Sequence, residues 1–123
     1  MIAADSSSLI AFFAGEDAAD TRAIQQAAVD ERLMIPPMVQ FELLSGDVPE
    51  TYLPLVCEGP LLPVRESCWA DAGRLRRHLL SRRLKARAMD CLIAQSCIDA
   101  DVALINRDAD FRHFKPLGLK LLT

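Results

Sequence analysis

The chain has 123 residues, enough for one domain with one sizeable core. Apolar residues make up 51% and charged residues 25%, the balance of a soluble globular protein. The net charge of −3 excludes a generally polycationic nucleic-acid binder, so any such surface must be a local patch.

The opening "MIAADSSSLIAFFAG" lacks a basic leader, and Asp5 interrupts its apolar residues, so no secretory signal is expected. No apolar run approaches the roughly 18 residues of a membrane span. Residence in the cytoplasm is the expectation. The four cysteines, Cys57, Cys68, Cys91 and Cys97, form no CxxC pair and read as small core hydrophobes, not as disulfides or a zinc site.

In chain order, "IAAD" reads as a short buried strand. "SSSLIAFFAG" follows as a serine-capped helix stopped by glycine, with Phe12 and Phe13 as core. "EDAADTRAIQQAAVDERL" is an amphipathic helix. "LMIPP" is a second strand, and "MVQFELLSG" is a helix that starts after the prolines and ends at Gly46. Residues 49 to 58 form a further short helix, and "GPLLPV" a turn with a candidate third strand. "RESCWADAGRLRRHLLSRR" is a long helix, and residues 88 to 99 another. "VALIN" is a strand, "RDADFRHF" a turn with a short helix, and "LKLL" a closing strand. Strands alternating with helices predict an α/β fold, a mainly parallel central sheet flanked by helices.

Four acids occupy awkward positions. Asp5 ends the first strand, and Asp108 follows the "VALIN" strand by two residues, so both are expected at the carboxyl edge of a parallel sheet, where ligands bind. Glu42 lies in the apolar "VQFELL" helix. On a helical wheel, Gln95 and Ser96 mark the polar side of the helix over 88–99, and Asp90 points away from it. Each has a plain alternative: Asp5 as a helix cap, Glu42 facing solvent, Asp108 as a loop acid, Asp90 paired with an arginine. Their combination argues otherwise. Two carboxylates ~5 Å apart repel by about 3 kcal/mol at an effective dielectric of 20. A divalent cation would reverse that sign, and oxygen ligands without histidine or thiolate favour Mg2+ or Mn2+. Such an ion can activate water against a phosphodiester.

Seven of the fourteen Lys and Arg residues fall between Arg74 and Arg87, a window that includes Arg82 and Arg83 and runs into the Asp90 helix. A basic rim beside an acidic centre suits RNA; a solvated face pairing with Asp71 is the alternative. His78 reads as a rim residue. Trp69 reads as core or dimer packing.

The chain resembles PIN-domain ribonucleases, specifically VapC-type toxins of toxin–antitoxin pairs. The resemblance rests on "DSSSLIAFF", "PPMVQFELLSG", "RAMDCLIAQSC" and "ALINRDADFRHF", in that order, and covers nearly the whole chain, read as a single PIN-like domain over 1–123. It implies that Asp5, Glu42, Asp90 and Asp108 are catalytic, metal-binding acids, with Asp110 assisting. It implies support from Ser7, and from Asn106, which stands where the family usually has Thr or Ser. It also implies a PIN-like three-layer fold, Mg2+-dependent endoribonuclease activity with Mn2+ as substitute, a VapB-type antitoxin partner, and a homodimer. RNA would be held by Arg82, Arg83 and Arg87. Two rivals remain: a non-catalytic module that binds RNA or protein through its basic helix, and a phosphotransferase of another α/β family. No GxxxxGK[ST] or GxGxxG element is present.

Overall fold

A computed structural model describes residues 1–122. Its elements are β1 (Ile2–Ala4), α1 (Ser6–Phe13), α2 (Ala19–Val29), β2 (Leu33–Met34), α3 (Pro37–Leu44), a 3-10 turn (Glu50–Tyr52) leading into α4 (Leu53–Glu58), α5 (Cys68–Ser81), α6 (Ala88–Ala100), β3 (Ala103–Ile105), a closing 3-10 helix (Ala109–Leu117) and β4 (Lys120–Leu121). The strands form one parallel sheet in the order β2-β1-β3-β4, flanked by helices. The expected α/β architecture is therefore present.

The order matters for function. The chain passes from β1 to one side to make β2, and later returns to the other side of β1 to make β3. The boundary between β1 and β3 is thus a topological switch point, where a crevice opens beyond the carboxyl ends of the strands. Asp5 follows β1 there, and Asn106 to Asp108 follow β3. The helices that succeed the strands start at this same edge. Pro37 opens α3 without leaving an unsatisfied amide, because its position in the first turn needs none.

Helix α6 is the most buried helix; Cys91, Ile93, Ala94 and Cys97 all lie in the core. Ser96 lies there too, which corrects its placement on the polar side. Its hydroxyl donates to the Ile93 carbonyl at 2.7 Å, so the side chain is satisfied without water. The third strand in "GPLLPV" shrinks to one bridge, Leu61 to Ile35. Pro60 and Pro63 on either side have no amide proton for a longer ladder. Three of the four cysteines are buried as expected, but Cys57 is exposed. Trp69 is 66% exposed, so it does not pack in the core. Phe12 and Phe13 are only partly buried; Phe13 stacks on Tyr52 at 4.6 Å.

The closing 3-10 helix is long for its kind, nine residues. With three residues per turn its side chains fall into stripes. Phe111 and Phe114 are buried, while Arg112 and Lys115 stand on another, exposed stripe. Gly118, at φ 111°, then turns the chain into β4 with a geometry that side chains resist.

Candidate active site

Asp5 is the first residue beyond β1 and only 5% exposed. Its amide donates to the Ile105 carbonyl at 2.9 Å, which fastens the ends of β1 and β3 together. It occupies the N-cap position of α1, yet its carboxylate makes no capping bond to the next turn. Instead the Ser7 hydroxyl donates to Asp5 Oδ2 at 3.1 Å. Ser6 faces the other way and donates to Glu42 Oε1 at 3.2 Å. One turn of α1 therefore steadies two acids from two different elements.

The charges of the four acids act on one another. Burial pushes the Asp5 carboxyl up to about 6, against the Ser6 amide and the Ser7 hydroxyl; the charges of Glu42 and Asp108 push it further. Burial also raises Glu42; Ser6 opposes, and Asp90 adds to the rise. Asp90 is raised to about 6 by burial first, then by Asp5 and Asp108, with Arg87 opposing and Asp110 adding. So the structure brings Asp5, Glu42, Asp90 and Asp108 into one electrostatic neighbourhood. None of the ion pairs among the described residues involves Asp90, which disposes of a buried arginine partner.

Asp108 caps the closing 3-10 helix, its Oδ1 accepting the Asp110 amide at 2.9 Å. Asp110 itself is paired with Lys85 at 3.2 Å. Asn106 is buried at the end of β3. Of the three basic residues expected to hold RNA, Arg87 acts on the acids, through Asp90. Arg82 instead borders a small cavity with His78 and His113, and Arg83 stands exposed in the left-handed conformation.

Sequence reasoning missed two supports. Ser6 was hidden in a run of three serines. Arg107 was overlooked between Asn106 and Asp108; it grips Asp20 with Nε at 2.7 Å and a terminal nitrogen at 3.0 Å. That clamp holds the Asp20 carboxyl down at about 2 and ties the start of α2 to the loop that carries Asp108.

Among the described residues, no three His, Cys, Asp or Glu side chains are drawn together as a closed metal cage. The donor chemistry nevertheless fits a hard divalent cation: four carboxylates, no histidine, no thiolate, and, at Asp5, Glu42 and Asp90, proton affinities raised by burial and by neighbouring carboxylates. A cation would relieve both.

A parallel α/β sheet with an acidic crevice at its switch point is the class of protein that fold and site define. The PIN domain family model matches residues 2–116, and the chain belongs to that family. No curated protein matches it. PIN domains are generally nucleases, typically use divalent metal ions, and commonly bind RNA and antitoxin partners. No helix among the described residues is long and apolar enough to cross a membrane.

Proposed function

We propose that this chain is a Mg2+-dependent endoribonuclease, the toxin of a toxin–antitoxin pair, acting in the cytoplasm as a single PIN-like domain. The observation that carries the reading is the mutual charge coupling of four carboxylates at the switch point of a PIN-family sheet. Asp5, Glu42, Asp90 and Asp108 would hold the metal. When bound, the ion would supply a Lewis acid and would lower the pKa of a water so that it yields a hydroxide nucleophile for the phosphodiester. The protein supplies position: Ser7 orients Asp5, Ser6 orients Glu42, and the Asp110 amide orients Asp108. Asp110 assists through its charge, moderated by Lys85. Asn106 supports the loop, and Arg82, Arg83 and Arg87 receive substrate phosphates.

A VapB-type antitoxin blocks the crevice with an arginine placed among the carboxylates, because a guanidinium is the side-chain cation best matched to paired oxygens. A homodimer is supported by the exposed Phe41 and Trp69, which line an apolar groove of about 640 Å³ with Met38, Met89 and Leu92. The test is cleavage of RNA by the purified protein. Activity should need Mg2+ or Mn2+, stop in excess EDTA, and be lost in Asp5→Asn. Cleavage that persists in EDTA rejects the metal mechanism.

A second reading, a non-catalytic module that binds RNA or a protein through its basic helix, is favoured by the exposed Arg74, Arg76 and Arg77 of α5. Calorimetric titration with Mg2+ separates the two. Heat of binding in the parent but not in Asp5→Asn supports the enzyme; none in either supports the module.

A further inference from the structure

Arg112 was not among the basic residues that the sequence pointed to, yet its position is unusual. It forms no ion pair among the described residues, and neither does Lys115. Both lie on the Ala109–Arg112–Lys115 stripe of the closing 3-10 helix, one residue per turn. That stripe forms a wall of a cavity of about 470 Å³, which Asn106, Arg107 and Asp108 complete. The cavity thus opens directly beside one acid of the crevice. At about 2 Å per residue, Arg112 stands roughly 8 Å and Lys115 roughly 14 Å along the axis from Asp108. The step between the two cations is comparable to the step between neighbouring phosphates of an extended strand.

A second cavity, of about 180 Å³, lies on the other side of the same helix. Its rim carries His78, Arg82 and His113, so it gathers both histidines of the chain beside an arginine; Leu79 and Leu84 form part of its wall. Arg112 belongs to both cavities. Arg82, just past the end of α5, and Arg112 of the 3-10 helix, far apart in sequence, therefore meet at one cavity. The chain as a whole is acidic, so this concentration is local.

We propose that the closing 3-10 helix is the substrate track of this protein: a single-stranded RNA leaves the acidic crevice at Asp108, lays its flanking phosphates on Arg112 and Lys115, and continues over Arg112 to the His78–Arg82–His113 cavity. The proposal rests on the nuclease reading for its direction, since Asp108 marks where the scissile phosphate sits. It differs from a rim built on the α5–α6 loop alone, because the central residue is Arg112. Unpaired cations spaced along a helix, not one bidentate clamp, suit a backbone that must be held without regard to sequence.

The experiment measures binding apart from cutting. A labelled single-stranded oligoribonucleotide is titrated in EDTA, at several salt concentrations, with the parent, Arg112→Glu, Arg112→Ala and Lys115→Ala. Arg32→Glu is the control: it makes the same charge change on an exposed arginine just before β2, at the opposite edge of the sheet. The track predicts a loss of about tenfold or more for Arg112→Glu and a smaller loss for both alanine variants. It also predicts a shallower salt dependence, by roughly 0.7 in log–log slope for each phosphate that is no longer neutralised. The alanine variants keep the test decisive if the glutamate variant does not fold. Equal losses in Arg32→Glu and Arg112→Glu would overturn the track in favour of bulk charge. Unchanged binding in Arg112→Ala and Arg112→Glu, with RNA still cut by the parent in Mg2+, would overturn the track and leave the nuclease reading standing. Loss of binding in the Arg112 variants, with no cutting by the parent in Mg2+ or Mn2+, would support the track and overturn the nuclease.

Discussion

Arg107 holds Asp20 through two parallel hydrogen bonds, although 87 residues separate them in the chain. Asp20 is buried and the Arg107 side chain is 34% exposed, so the pair is a surface-facing clamp with a buried jaw. Its neighbour on one side is Asp108. We expect Asp20→Asn to destabilise the fold by on the order of 1–2 kcal/mol, a value reduced because the arginine end stays hydrated. We also expect it to lower RNA cleavage, since the loop bearing Asp108 loses its tether. Thermal unfolding and a cleavage assay check both. A variant with parent-like melting and parent-like cleavage would show that the clamp positions nothing.

Asp90 gives a sharper test, since it has no ion-pair partner among the described residues. Were it half of a buried pair, Asp90→Asn would strand the other half and cost about 3–5 kcal/mol. As an acid repelled by Asp5 and Asp108, it should lose nothing: the near-isosteric amide relieves repulsion. In EDTA the melting temperature of Asp90→Asn should equal or exceed that of the parent. Cleavage should fall by two orders of magnitude or more, and Mg2+ should stabilise the variant less than it stabilises the parent. Early melting of the variant in EDTA would contradict this.

The pH dependence of stability follows from the same groups. Asp5 and Asp90 titrate near 6 in the folded protein, above their ordinary value of 3.8. The folded state therefore binds their protons more tightly than the unfolded state does. Their stabilising contribution is complete below about pH 3.8 and is lost as pH rises through 6. For the well-buried Asp5 this is on the order of 2–3 kcal/mol. Asp20, held near 2, works in the opposite sense: its contribution is present above 3.8 and is lost as pH falls toward 2. The metal-free protein should thus melt highest at roughly pH 3.5 to 4, and lower at pH 7. Saturating Mg2+ should flatten the fall between pH 5 and 7. A melting temperature in EDTA that climbs steadily from pH 5 to 7 would refute the assignment.

Arg83 carries a side chain at φ 59°, where glycine is favoured. Arg83→Gly should stabilise the fold by roughly 1 kcal/mol, by removing that strain. If the arginine serves to hold RNA, the same change should weaken RNA binding. Denaturant unfolding and an RNA titration read the two effects separately. Stabilisation with unchanged affinity would remove Arg83 from the binding surface.

The parts of this protein that could be read in advance are those written in local sequence. Short apolar runs and proline or glycine stops marked the strands and helices, and the carboxyl ends of two strands marked Asp5 and Asp108. What could not be read depends on who meets whom. Ser96 looked polar, but its hydroxyl is satisfied within its own helix, so it can be buried. The "GPLLPV" strand looked apolar enough, but its prolines limit it to one bridge. The Asp20–Arg107 clamp carries no local signature at all, since each residue looks like an ordinary surface charge until α2 is docked beside β3. Asp90 was legible as an inward acid; that no arginine forms an ion pair with it among the described residues was visible only in three dimensions.

The register of the sheet sets a timetable. Ile2 pairs with Leu33 on one side and with Ala103 on the other, and Asp5 is fastened to Ile105, so the second partner of the first strand lies about a hundred residues away. Such distant pairing is slow to form. On the ribosome, Asp5 and Glu42 emerge well before Asp108 has been added. At about 5–20 residues per second, the 66 residues from 42 to 108 take roughly 3 to 13 s. During that interval the acidic crevice is incomplete: Asp90 is added only after 48 of those residues, and Asp108 last. The charge cluster is therefore completed only when Asp108 joins the acids added before it.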